Sequence, residues 1–225
     1  MRSSESGNVI FYLFIAVALL AALSFAVAQG SRSSGKSLTE DRARLAASEV
    51  IAYGDTLNKA TGQLRLRGIP AESLRFSYPD AHADYGVFDT SPTAEIFNSQ
   101  GGGIAYRAPP ALALENAAAV YEFTGANQVS LIGQDCAGAS CSDLLMVLSG
   151  VKLEVCQLIN YLLGFATKTA TPPEESDTDL TRFAGTYTNT ETLSDEEAVL
   201  TGKSAGCYRD ANASAYTYYQ VLVAR

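Results

Sequence analysis

Four cysteines, one histidine and two short acidic runs are the residues of this 225-residue chain whose types could support chemistry. Cys136 and Cys141 flank Ala-Gly-Ala-Ser, while Cys156 and Cys207 stand far apart. Structural zinc sites show paired short spacings of cysteine or histidine, and these four residues do not make that pattern. An even set of thiols in a sulfur-poor chain fits disulfides in an oxidising compartment. Of the three possible pairings, a small Cys136–Cys141 loop with a long-range Cys156–Cys207 bond is preferred. The second bond closes a loop of about fifty residues, which in the chain-entropy model contributes on the order of 4 kcal/mol. His82, in "PDAHADYG", reads as a solvated loop histidine. "EESDTD" (Glu174–Asp179) and "SDEE" (Ser194–Glu197) supply oxygen ligands but lack the regular spacing of a calcium loop, so solvated surface is the simpler reading. Gly101–Gly103 is followed by neither a helix nor Lys-Ser or Lys-Thr, which makes it a turn and no phosphate cradle. No nucleophile sits in an elbow or triad motif. These residues predict no catalytic site, no cofactor, no metal, and a protein that is not an enzyme.

The formal net charge of −8 argues against nucleic acid or anionic lipid as a partner. The other dominant feature is Val9–Ala28, an apolar run in which only Tyr12 and Ser24 are polar. As a helix it covers roughly 30 Å, the thickness of a bilayer core. A cleaved secretory signal has a shorter apolar region, about 7–15 residues, ending in a small-x-small site. "AVAQG" after Phe25 offers such a site, but the run is long for a signal, and a retained single span is favoured. Arg32, Lys36, Arg42 and Arg44 after the span point to a cytoplasmic C-terminal side. The cysteines point to the oxidising side, and they are given more weight.

The positioning elements follow. Residues 8–29 read as a transmembrane helix, 30–37 ("GSRSSGK" and Ser37) as a flexible break, and 38–225 as one domain able to bury a single core. That domain begins with a long amphipathic helix, Leu38–Arg67, capped by Ser37 with Glu40. Ala46, Val50, Tyr53, Leu57, Ala60 and Leu64 are spaced to share one face, and Gly68 and Pro70 stop it. Strands are expected at Ser73–Tyr78, Gly86–Asp89 and Ile104–Pro110, and a hairpin at Ala117–Gly125 with Gln128–Gly133. Ser142–Phe165 carries apolar residues at helical spacing, and Ala166–Arg182 reads as a solvated loop. Ala215–Arg225 is the clearest strand and is expected to be tucked into the sheet. The fold class is α+β: a hydrophobic transmembrane helix, an amphipathic helix, then one domain containing an antiparallel sheet.

"SGNVIFYLFIAVALLAAL" resembles the start of type IV pilins and pseudopilins. In that family a short polar leader ends in glycine and a prepilin peptidase cuts after it. The resemblance implies a leader over 1–7 and cleavage between Gly7 and Asn8. It also implies a pilin-like domain fastened by a disulfide near its C-terminus. Asn8 stands where the family usually has phenylalanine or methionine, and Tyr12 where it usually has glutamate, a departure found mainly in tip or minor pseudopilins. "GGGIAYRAPP", "VCQLIN" and "YYQVLVAR" are similar to uncharacterised membrane-anchored alphaproteobacterial proteins, which implies no activity. The function implied is a structural subunit of a filament or secretion apparatus, single-pass in the inner membrane with a periplasmic or extracellular domain. Its partners would be prepilin peptidase and other pilin-like subunits. The alternative is an anchored periplasmic binding or adaptor protein that does not polymerise.

Overall fold

In the computed structural model, residues 6–133, 141–176, 178–188 and 191–225 are described, with side chains for 11–25 and from 39 onward. The first helix, α1, spans Ser6–Leu66. Contacts divide the chain into one unit ending at Arg42 and another covering Ala43–Arg225. The stretch 30–37, expected as a flexible break, is helical, so Ser37 does not cap a helix start. Glycine and serine weaken a helix, but only proline removes a backbone donor, and the first proline is Pro70. Among the described residues, no helix is long and apolar enough to cross a membrane. A transmembrane helix over 8–29 therefore has no structural support on this measure.

In the second unit, α1 lays its expected stripe against the sheet: Ala46, Val50, Tyr53, Leu57, Ala60 and Leu64 are all buried. Gly54 sits in this stripe for a steric reason. A Cβ there would lie 2.8 Å from the Tyr218 hydroxyl, so glycine lets the helix approach the sheet closely. Asn58 fixes the contact by donating from Nδ2 to the Val221 carbonyl at 2.7 Å. Just beyond the helix end at Leu66, Gly68 has a φ of 88°, the left-handed conformation that glycine adopts without strain.

The six strands are β1 (Glu122–Val129), β2 (Asp143–Val151), β3 (Glu174–Glu175), β4 (Glu191–Leu193), β5 (Ala205–Asp210) and β6 (Ala215–Val223). They form one sheet in the order β3-β5-β6-β2-β1-β4. The four inner strands pair antiparallel, but β3 joins β5 and β4 joins β1 in parallel, so the sheet is mixed and not purely antiparallel. A second helix, α2 (Leu153–Leu162), follows β2 directly.

Both sheet faces are covered. Leu144, Met146 and Leu148 of β2, Cys207 of β5 and Tyr218 of β6 join the large core beneath α1 and α2. Leu145 and Val147, Tyr208, and Tyr219 with Val221 point the other way into a smaller core with Val129, Leu193 and Leu200. This arrangement explains one departure from expectation. Ser142–Phe165 reads as helical because "LLMVL" is apolar without alternation, but a central strand buried on both faces has that same pattern. Its first half is β2, and only the part after Lys152 is helix.

Two further expectations are corrected. Ala117–Gly125 and Gln128–Gly133 do not make a hairpin, because one strand, β1, runs through both and pairs with β2. Ser73–Tyr78, Gly86–Asp89 and Ile104–Pro110 are not strands; only an isolated bridge, Arg75 to Glu95, survives there. This stretch holds its shape by side chains instead. The buried Glu95 carboxylate accepts from the N–H groups of Asp89 and Ser91 and from Asn98 Nδ2. Phe76, Phe97, Tyr85 and Phe123 interlock above it. Gly101 and Gly102 form a turn at which a Cβ would come within 2.0 and 2.4 Å of the Glu95 and Ile96 carbonyl oxygens.

Candidate functional site

The residues singled out by sequence fall in separate places. Gly7 and Asn8 lie in the first turn of α1. Cys156 on α2 and Cys207 on β5 are joined, with their Cα atoms 5.3 Å apart. Beside this bond, Asn160 takes the place of a neighbouring strand. Its Nδ2 donates to the Cys207 carbonyl at 2.7 Å and its Oδ1 accepts from the Cys207 N–H at 2.8 Å. Cys141 is buried and disulfide-bonded, and the expected pairing to Cys136 lies outside the described residues. His82 Nδ1 accepts from the Asp84 N–H at 3.3 Å, capping a short turn on the surface.

The two acidic runs, distant in sequence, meet. β3 and β4 are at opposite edges of the sheet. Nevertheless the Ser194 N–H, just beyond β4, donates to Glu175 Oε2 of β3 at 2.9 Å. Carboxylate oxygens of Glu175, Asp195 and Glu196 all lie within 4.8 Å of one another. Glu175 has only 1% of its surface exposed, while Asp195 and Glu196 are exposed. Burial pushes the Glu175 carboxyl up to about 9, and the neighbouring Glu196 adds to the rise. Glu196 is held below the usual carboxylate range by the adjacent Glu175 carboxyl and further lowered by Ser176, whose N–H donates to it at 3.0 Å.

The chain that follows β3 works as a strap. The Asp179 main chain bonds the Asn127 side chain in both directions, at 2.7 and 2.9 Å, and Arg182 bridges to Thr124. Leu180 packs on the smaller core. The expected solvated loop Ala166–Arg182 is thus structural from Glu174 onward.

Elsewhere, a surface cavity of about 540 Å³ is walled by Tyr78, Phe88, Phe97, Tyr106 and Val120. Tyr78 and Tyr106 stack with centroids 3.8 Å apart.

Comparison with protein-family models, with characterised proteins and with solved structures finds no match to this chain. Sequence reasoning passed over the acidic junction because spacing was its test, and these ligand groups come from two runs nearly twenty residues apart. One local sign existed. Pro172-Pro173 before Glu174-Glu175 suits an edge strand, where a missing backbone donor costs little.

Proposed function

We propose that this chain is a pilin-like or pseudopilin-like structural subunit of a filament or secretion apparatus. In this reading residues 8–29 hold it in the inner membrane, and the Ala43–Arg225 unit is periplasmic or extracellular. Prepilin peptidase would cut between Gly7 and Asn8. The observation that carries the reading is the contrast along α1. Phe11, Tyr12, Leu13 and Phe14 are each more than 60% exposed. Four consecutive residues go round the whole circumference of a helix, and the Tyr12 hydroxyl is their one polar side-chain group, so this stretch has no polar face. Ala46–Leu64, by contrast, shows a one-sided stripe that the domain itself buries. A helix apolar on every side belongs in lipid or among other such helices. Bundling removes its surface from water at roughly 25 cal/mol per Å², and Ala16, Ala18, Ala21 and Ala22 permit close approach. The Cys156–Cys207 bond near the C-terminus also suits this plan.

A second reading, an anchored module that does not polymerise, draws support from the surface cavity walled by Tyr78, Phe97 and Tyr106. Cell fractionation with cross-linking separates the two. The full chain is expected to stay with membranes through an alkaline carbonate wash and to yield a ladder of cross-linked multiples in intact cells. A membrane-bound species that stays monomeric under cross-linking selects the anchored module, and recovery of the full chain in the soluble fraction overturns both.

A further inference from the structure

We propose that Glu175, Asp195 and Glu196 form a calcium site that locks β3 to the loop after β4, across the smaller core. This goes beyond the assembly role and does not depend on how α1 is used.

The geometry supplies the reasons. Glu175 Oε1 is buried and finds no hydrogen-bond donor, although its sister oxygen is held by Ser194. The group beside it is the Glu196 carboxylate, which has no proton to offer when ionised. No ion pair among the described residues involves Glu175 or Glu196. A buried carboxylate oxygen facing a second carboxylate demands a positive partner, either a proton or a cation. The ligand set is all oxygen, which suits hard cations. Its spread of up to 4.8 Å matches oxygens on opposite sides of a calcium ion, whose Ca–O bonds are about 2.3–2.6 Å long. Magnesium, at about 2.0–2.1 Å, draws its ligands closer. The exposed sides of Asp195 and Glu196 leave room for water to complete the shell.

The position gives the site its effect. β3 and β4 hold opposite sheet edges through only two and three residues. Ser194 is a non-glycine residue with φ of 70°, and its buried Oγ also lacks a partner. An ion there would fasten two weak edges and close the cover over Val129, Leu145, Leu193, Tyr208 and Tyr219.

The test is calorimetric titration of Ca²⁺ into the full-length chain, purified in detergent and stripped with a chelator, alongside its thermal midpoint. One ion per chain and a raised midpoint are expected, with Mg²⁺ binding more weakly. Asp195→Asn and Glu196→Gln, both on the surface, are each expected to weaken Ca²⁺ binding about tenfold or more. Glu175→Gln keeps an oxygen for the Ser194 N–H and gains an amide that donates toward Glu196. It is therefore expected to fold and to lose the Ca²⁺ response. Three results overturn the proposal: no Ca²⁺ heat or midpoint shift in the wild type, an unchanged shift in the surface variants, or stabilisation by acid alone, which assigns the pair to a shared proton.

Discussion

Replacing Phe76 with alanine is expected to destabilise the Ala43–Arg225 unit by about 3–5 kcal/mol. Phe76 has no exposed surface and lies in none of the strands. Its ring stacks on Phe123 of β1 at 4.2 Å and meets the edges of Phe97 and Phe183 at 6.5 and 6.2 Å. It thus joins three parts of the unit: the strand-free segment after α1, the sheet, and the end of the strap. Deleting the ring loses its transfer free energy and leaves a hole bounded by other rigid rings, which collapse poorly. Each kcal/mol corresponds to about 2–4 °C in a unit of this size. Urea unfolding of the variant measures the loss. Leu66→Ala, at a side chain 90% exposed, provides the control and is expected to stay within about 0.5 kcal/mol of wild type. A loss below about 1 kcal/mol at Phe76 would show that the aromatic cluster does not hold the irregular segment.

The double variant Cys156→Ala/Cys207→Ala is expected to lose about 4 kcal/mol, chiefly by freeing the unfolded chain. The bond closes a sequence separation of 51 residues that contains the strap, β3 and β4. Those are the least regular parts of the sheet, so the constraint acts where local structure contributes least. The Asn160 bonds to Cys207 remain in the variant and keep α2 on β5. The native fold is therefore expected to persist at low urea with an earlier midpoint. Reducing unfolding curves of the wild type, in which the Cys141 bond opens as well, are expected to show at least as large a loss relative to non-reducing ones. Superimposable curves would mean that the bond contributes nothing to stability.

Some of this architecture was legible because one physical signal acted alone. The α1 stripe from Ala46 to Leu64 has one face to bury, and helical spacing revealed it. β6 is aromatic and β-branched to its end and proved central to the sheet. Cys156–Cys207 followed from a preference among three pairings. Where two signals coincide, the reading failed. β2 is buried on both faces, so its apolar run mimics a helix. The helix through 30–37 persists because glycine and serine are weak breakers in a run without proline. The segment after Pro70 contains short alternating pieces, but its backbone is satisfied by Glu95, Asn98 and tight glycine turns in place of strand partners. The acidic junction depends on two sheet edges meeting in space, which no local pattern encodes.

The membrane-embedded, peptidase-processed helix is the claim on which the functional reading rests. Intact-mass and N-terminal peptide analysis of the chain isolated from its native source tests that claim most directly. The account predicts a mature chain that begins at Asn8, with or without N-methylation, and retains the whole of Val9–Ala28. A polypeptide starting near Gly30 and found free of membranes would contradict it.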